Sequence, residues 1–278
     1  MARLPYELMP CIRAGIRLQV GVGAREVLGA PGSGAVVAVY RRAAYLRLPG
    51  GIVALVAPEV PSGPLWIRGD GLVRGLRPHD PVTVEGESLD VAGRRLPLAG
   101  ADTWRGPLPD PSRLRSALPL ALDVVAAAPR SSLLSDPWWP ALCRAEAALG
   151  RGDLLSAAAA LGGLGPGLTP AGDDALAGIF LAHRALAGRS AEPSLLAMAE
   201  VAVTTDLSAA FLRWAARGQA VEPVHAFLAA IAAGNRPAAL TATSRIASLG
   251  ASSGADLLLG LGLGFVAAPT RRRATRCL

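Results

Sequence analysis

The sequence predicts an α+β protein, in which a β-rich N-terminal domain (a barrel or a sandwich) precedes a mostly α-helical C-terminal domain. Short alternating or β-branched segments, separated by clusters of Gly, Pro and Asp, fill roughly the first hundred residues, as in small all-β folds. A Pro-rich hinge follows at residues 105–111, and beyond it Ala and Leu recur at helical spacing. We assign residues 1–106 to the β-rich domain, 107–268 to the helical domain and 269–278 to an Arg-rich tail that we expect to be disordered.

Turn residues divide the β-rich domain into short strands. Clusters at residues 30–34, 49–51 and 68–71 contain Gly with Pro, Ser or Asp, which favour tight turns. Between such turns we predict strands at residues 12–23, 35–40, 43–48, 51–57, 64–68, 81–85 and 88–91.

The helical domain is divided by Gly and Asn. Gly218 and Gly234 follow apolar-periodic segments, so we predict them as left-handed C-caps. The predicted helices lie near residues 112–128, 136–149, 151–161, 170–187, 192–203, 205–217, 219–233, 236–249 and 253–267.

Composition excludes several classes of protein. A hydrophobic content of 51% over 278 residues is too high for a disordered chain. The net charge is +7, but every basic residue is Arg, and only the tail concentrates them, so nucleic-acid binding is disfavoured. The absence of Lys excludes a Walker A loop and a lysine nucleophile.

Cysteine spacing and the apolar segments predict a cytoplasmic location. Cys11, Cys143 and Cys277 form no CxxC pair, which disfavours disulfides and structural zinc. The N-terminus lacks the basic and apolar regions of a signal peptide. The apolar stretch at residues 257–268 is shorter than the ~20 residues that span a bilayer, so we predict no membrane segment.

A glycine-rich loop precedes the helix predicted at residue 170. Residues 161–174 read Leu-Gly-Gly-Leu-Gly-Pro-Gly-Leu-Thr-Pro-Ala-Gly-Asp-Asp. We predict Thr169 as the N-cap and Pro170 as the first helical residue, with Asp173 and Asp174 in the first turn. Glycine lets backbone amides approach a ligand closely, and a helix N-terminus favours anions.

Two further helix starts combine hydroxyls with an aspartate, at residues 204–208 and 251–256. Simple helix capping accounts for these residues as well, because Ser253 and Asp256 have the spacing of a capping box. Capping does not require the glycine-rich loop or its two successive aspartates. We therefore infer that the three helix starts converge on one site.

The residue types of this hypothetical site suggest two roles. Backbone amides and hydroxyls would hold a small anionic substrate, and the carboxylates would orient an amine or bind a divalent cation such as Mg²⁺. The candidate catalytic residues are Asp173, Asp174 and Asp256, with Asp173 and Asp174 also as metal ligands. The candidate anion-binding residues are Gly165, Gly167, Thr169, Gly172, Thr205, Ser208, Ser252, Ser253 and Gly254.

Three motifs resemble the AllH-type family, which contains a subunit of bacterial oxamate carbamoyltransferase. They are Gly-Pro-Gly-Leu-Thr-Pro-Ala-Gly-Asp-Asp at residues 165–174, Thr-Thr-Asp-Leu-Ser at 204–208 and Ser-Ser-Gly-Ala-Asp-Leu-Leu at 252–258. The resemblance implies a cytoplasmic protein of allantoin degradation that acts with a succinyl-CoA-synthetase-like chain and a second subunit. It also implies interconversion of oxalurate and phosphate with oxamate and carbamoyl phosphate.

One position departs from the family pattern. A histidine often precedes the Ser-Ser-Gly of the third motif, and here that position is Ala251. If that histidine is an acid or base in the family, this chain lacks it. The sequence therefore leaves two functions open, a carbamoyltransferase-like subunit and a non-catalytic binding or scaffold subunit. It does not identify a cofactor.

Overall fold

The described chain folds into two compact units that divide after Trp104. A computed structural model describes residues 17–267, so the Arg-rich tail lies outside the described residues. The α+β fold class is confirmed: the first unit contains a curled nine-stranded sheet, a half-barrel, and the second is helical. None of the described helices is long and apolar enough to cross a membrane.

The described strands of the sheet are β1 Gln19–Gly21, β2 Gly32–Val39, β3 Ala43–Leu48, β4 Gly51–Val56, β5 Trp66–Arg68, β6 Pro81–Glu85, β7 Ser88–Val91, β8 Arg94–Pro97 and β9 Asp102–Trp104. The sheet is mixed and mostly antiparallel, in the order β8-β7-β6-β2-β3-β4-β5-β1-β9. β1 pairs in parallel with β9, and β4 pairs in parallel with β5. The core consists mainly of Val, Leu and Ile from alternate strand positions, packed against the helix that follows β1.

The strand prediction for residues 12–23 is wrong at its end, because helix α1 (Val22–Leu28) begins there. A Cβ on Gly21 would lie 2.2 Å from the carbonyl oxygen of Gly63, so only glycine permits this close approach. The Ala24 amide then donates to the Pro64 carbonyl at 2.8 Å, which turns the chain out of the sheet. Residues 12–16 of the prediction lie outside the described residues.

The second unit contains ten α-helices within the described range. The predicted helix at residues 112–128 is divided at Ala117, because Pro119 has no N–H to continue the ladder. Gly218 and Gly234 have φ of 77° and 67°, which confirms both left-handed caps. The helices are α2 Pro111–Ser116, α3 Leu118–Ala126, α4 Trp139–Gly150, α5 Leu154–Leu161, α6 Ala171–Ala187, α7 Glu192–Val201, α8 Asp206–Ala216, α9 Glu222–Ala232, α10 Arg236–Ala247 and α11 Ser253–Ala267.

Helices α6 and α11 pack against each other more closely than ordinary side chains allow. A Cβ on Gly260 would lie 1.9 Å from the Ala175 carbonyl oxygen, and one on Gly264 would lie 2.6 Å from the Ala182 Cβ. These contacts advance along both helices in the same direction, so the two helices run parallel. Their N-termini consequently lie at the same end of the helical unit.

The beginning of the second unit is held by two buried side chains. Gln219 donates to the Gly106 carbonyl at 2.9 Å and accepts from the Gly106 amide at 3.0 Å. His225 Nδ1 donates to the Pro107 carbonyl at 3.0 Å, and its Nε2 accepts from the Ala220 amide at 3.1 Å. Burial lowers the pKa of His225, which favours the neutral ring that these bonds require.

Candidate functional site

Helix α6 begins one residue later than predicted. Pro170, in extended conformation, occupies the N-cap position, and Ala171 is the first helical residue. The prediction of Thr169 as the N-cap is therefore wrong, because the fixed φ of proline suits the extended cap here. The Thr169 hydroxyl lies 3.3 Å from the Ser253 hydroxyl instead, and so it joins the starts of α6 and α11.

The loop before α6 depends on glycine backbone geometry. Gly163, Gly165 and Gly167 have φ of 69°, 116° and 96°, a region that side chains disfavour. A Cβ on Gly165 would lie 3.0 Å from the Ala171 amide, whereas a Cβ on Gly167 would meet nothing within 4 Å. The loop thus keeps its backbone close to the first amide of α6.

Gly172 has a packing role. A Cβ at this position would lie 2.0 Å from the Leu161 carbonyl oxygen, at the end of α5. Its amide donates to the Leu164 carbonyl at 2.8 Å and is therefore already occupied within the protein. Its role as an anion donor, predicted from the motif, is not supported by this bond.

Asp173 connects two of the predicted helix starts. It is 3% exposed. One carboxylate oxygen accepts from the Gly163 amide at 2.8 Å, and the other accepts from the Thr204 hydroxyl. Asp173 therefore links the glycine-rich loop, through one carboxylate oxygen, to the segment before α8, through the other. This positioning role leaves the carboxylate little capacity to bind a substrate or a cation.

Asp174 differs from its neighbour. One of its carboxyl oxygens is buried and lacks a hydrogen-bond partner. Burial raises the pKa of Asp174 to about 8; the Ser253 hydroxyl offsets part of the rise, and the charges of Asp256 and Asp173 add to it. At neutral pH this carboxyl is mainly protonated, so it is a hydrogen-bond donor beside the starts of α6 and α11.

The hydroxyls at the start of α8 are used within the protein. Thr205 is the N-cap and accepts from the Ser208 amide at 3.1 Å. The Thr205 hydroxyl also donates to the Leu168 carbonyl at 2.6 Å, and the Ser208 hydroxyl lies 3.4 Å from the same oxygen. Capping, the alternative considered from the sequence, accounts for Thr205.

The capping-box interpretation of Ser253 and Asp256 is wrong. Asp256 is 0% exposed. One of its oxygens accepts from the Ser131 hydroxyl at 2.6 Å and the Ser132 amide at 2.9 Å, and the Ser132 hydroxyl lies 3.1 Å from the other oxygen. Ser131 and Ser132 belong to a segment more than a hundred residues earlier, and sequence reasoning did not select them.

The remaining predicted residues, Ser252, Ser253 and Gly254, lie where α11 begins. Ser252 and Ser253 are half-buried at its start. Gly254 is buried, and a Cβ there would lie 1.9 Å from the Ile246 carbonyl oxygen, so this glycine permits packing against α10. The Gly254 amide donates to the Leu249 carbonyl at 3.1 Å.

The structure thus brings the three helix starts together through the Thr169–Ser253, Asp173–Thr204 and Leu168–Thr205 contacts. Residues 17–267 contain no group of three or more His, Cys, Asp or Glu that could hold a metal ion. Of the three predicted catalytic carboxyl groups, Asp174 alone retains a buried oxygen without a partner in the described chain.

Comparison with known families agrees with the motif resemblance. Residues 161–265 match the family model of oxamate carbamoyltransferase subunit AllH. The match extends from the end of α5 into α11 and contains all three helix starts. The predicted family is therefore confirmed over this segment. No solved structure matches the chain.

Proposed function

We propose that this chain is a subunit of a carbamoyltransferase-like enzyme that binds a small anion, of the oxamate or carbamoyl phosphate type, where α6 and α11 begin. The observation that carries this proposal is the buried, unpartnered carboxyl oxygen of Asp174 beside two helix N-termini. Helix N-termini attract anions. A protonated carboxyl adds a donor there without adding negative charge.

The chemistry of carbamoyl transfer supports such a site. When an amine attacks the carbamoyl carbon and displaces phosphate, or a phosphate oxygen attacks it and displaces the amine, negative charge develops on the carbonyl oxygen, and preorganised donors stabilise it. Protonated Asp174 would supply one donor, and the hydroxyls of Thr169, Ser252 and Ser253 would supply others. Asp173 and Asp256 would act indirectly, by holding the loop and α11 in position.

The partners follow from the family. Because the matched description is of a subunit, we propose that further subunits complete the enzyme. The family resemblance suggests a succinyl-CoA-synthetase-like chain and a second subunit, acting in the cytoplasm on oxalurate, oxamate and carbamoyl phosphate. No divalent cation enters this proposal, because both oxygens of Asp173 already accept hydrogen bonds.

A non-catalytic subunit is the second candidate. Two of the three predicted catalytic carboxylates, Asp173 and Asp256, are bound by internal donors. Ala251 also occupies the position at which family members often have a histidine. In this case the helix starts would stabilise the subunit, and the reacting groups would lie in another chain.

Calorimetry on the isolated chain separates the two candidates. We expect oxamate and carbamoyl phosphate to bind near pH 7, and about tenfold more weakly near pH 9, because Asp174 ionises near pH 8. Asp174→Asn should remove this pH dependence, since an amide donates at either pH. Asp153→Asn, at the exposed start of α5, is the matched control and should behave as the wild type. Absence of binding of both anions to the wild-type chain would support the non-catalytic candidate.

A further inference from the structure

Two arginines line a groove between α4 and α5, whose volume is about 530 Å³. Arg144 and Arg151 are both exposed, and neither side chain forms a hydrogen bond or a salt bridge with another described residue. They are seven residues apart, which is two helical turns, so they lie on one side of α4 at an axial separation of about 10 Å. No Asp or Glu is among the described residues that line the groove.

The acidic residues closest in sequence leave the groove positively charged. Glu146 is two positions from Arg144, about 200° around the helix, and does not line the groove. Asp153 lies near Arg151 and offsets part of the charge at that end. The carboxylate of Asp153 is the N-cap of α5, where it accepts from the Ser156 amide at 3.0 Å. The complementary ligand is therefore anionic at two points about 10 Å apart.

The shape of the groove is that of a helical hairpin. Only residues 151–153 connect α4 to α5, so the two helices are antiparallel, and Gly152, with φ of 75°, closes the turn. Small side chains between the arginines and α5 let another chain approach both helices closely. The alanines that line the groove are Ala147, Ala148, Ala159 and Ala160.

An α-helix fits this groove better than other anionic ligands. The backbone groups of α4 and α5 are bonded within their helices, so the groove offers no hydrogen-bond ladder to an extended peptide. No aromatic side chain among the described lining residues could stack on nucleic-acid bases. Small-molecule sites enclose their ligands, whereas both arginines are exposed. A third helix packs between two others by ordinary ridge-into-groove contact.

A second copy of this chain does not offer the complementary helix. None of the helices α1–α11 in the described range contains two acidic residues seven positions apart. The helix that matches both arginines therefore belongs to a different protein.

We propose that the groove between α4 and α5 is a docking site for a helix of another protein, which carries two carboxylates seven residues apart. The carboxylates bind the guanidinium groups of Arg144 and Arg151, a pairing that is often bidentate. Small residues on the same face of that helix contact the alanines of the groove. This inference goes beyond the proposed function and does not depend on it, because no groove residue belongs to the anion site.

Two synthetic peptides test the proposal. Both are alanine-based helical peptides of about 20 residues with the same composition. The in-register peptide carries two glutamates seven residues apart, on one face, and the shifted peptide carries them five residues apart, on different faces. The affinity of each labelled peptide for the full chain is measured by fluorescence anisotropy.

Three variants accompany the wild type. Arg144→Gln with Arg151→Gln removes both positive charges of the groove. Arg130→Gln with Arg189→Gln is the matched control, because it removes two exposed arginines elsewhere in the helical unit. Ala159→Trp fills the groove at an exposed position without changing its charge. A circular dichroism melting curve for each variant shows whether it is folded.

We expect the wild-type chain and the matched control to bind the in-register peptide roughly tenfold more tightly than the shifted peptide. Arg144→Gln with Arg151→Gln should remove this difference, and Ala159→Trp should weaken binding of the in-register peptide severalfold. Oxamate calorimetry on the Arg144→Gln and Arg151→Gln double variant should match the wild type, so the docking groove and the anion site are tested separately.

Equal binding of the two peptides to the wild-type chain would overturn the proposal, as would no binding of either at about 1 mM. Unchanged affinity in Ala159→Trp would show that charge alone attracts the peptide and that no helix enters the groove. Tighter binding of single-stranded DNA than of the in-register peptide, lost when both groove arginines are replaced, would assign the groove to nucleic acid instead.

Discussion

The start of α8 and the start of α6 contain the same kinds of residue, but they differ in whether their polar groups have hydrogen-bond partners within the protein. At α8, the Thr205 hydroxyl accepts from one backbone amide and donates to a backbone carbonyl, so its only proton is already used within the protein. At α6, Asp174 keeps a buried carboxyl oxygen without a partner. Capping residues stabilise a helix, whereas an unsatisfied buried group costs stability. The difference separates a structural helix start from a candidate functional one.

Asp256, in the first turn of α11, should behave as a structural residue, and its replacement offers the largest effect on stability. Asp256→Ala would leave the buried hydroxyl of Ser131 and the amide of Ser132 without their acceptor. We expect the free energy of unfolding to fall by about 3–5 kcal/mol, as when one partner of a buried charged contact is removed.

Urea denaturation measures this loss. Asp153→Ala is the control, since Asp153 is a partly exposed N-cap whose loss should cost about 1 kcal/mol. A loss at Asp256 no greater than that at Asp153 would show that the buried contacts contribute little.

Replacement of Asp174 should raise the free energy of unfolding at alkaline pH, whereas replacement of Asp256 lowers it. The pKa of Asp174 is raised from 3.8 to about 8 in the folded protein. At a pH between these two values, the folded state therefore holds a proton that the unfolded state has released. Stability is therefore lost as pH rises through this range. Asp174→Asn removes this titration, and above pH 8 it should be more stable than the wild type.

Thermal or urea unfolding from about pH 4 to pH 9 tests the sign. The stability difference between Asp174→Asn and the wild type should grow with pH and then level off. A constant difference across this range would mean that Asp174 does not titrate there.

The smallest effect is expected at α8. Thr205→Ala removes the N-cap acceptor of the Ser208 amide, and the free energy of unfolding should fall by about 1 kcal/mol. Thr205→Ser keeps the hydroxyl and should lose little. If calorimetry shows that Thr205→Ala also abolishes oxamate binding, α8 belongs with α6 as part of the functional site.

Local signals predicted much of the fold. Gly218 and Gly234 were identifiable because a left-handed cap is a property of one residue and its neighbours. The start of α11 agrees with the predicted residue 253, because the apolar periodicity that predicts this helix is a local property of the segment. The strands β8 and β9 were missed. β8 is a short edge strand that pairs only with the preceding strand β7, and β9 is a three-residue edge strand that depends on pairing with β1, at the other end of the unit's sequence.

The candidate site was predictable in its location and less so in its roles. The glycine-rich loop and the three helix starts stand out in the sequence, and the structure joins them. Adjacent Asp173 and Asp174 are the same residue type, so the sequence alone does not separate them. Their different partners depend on Thr204 and on the packing of α11, which are remote along the chain.

The Gln219 contact with Gly106 has a practical consequence for dissecting the molecule. A helical fragment that begins at residue 107, the predicted boundary, would lack Gly106 and remove both hydrogen bonds that the buried Gln219 side chain makes to that residue. A fragment that begins at residue 105 retains them. Two added residues at the terminus therefore decide whether the excised helical unit keeps the buried hydrogen bonds that hold its N-terminal segment.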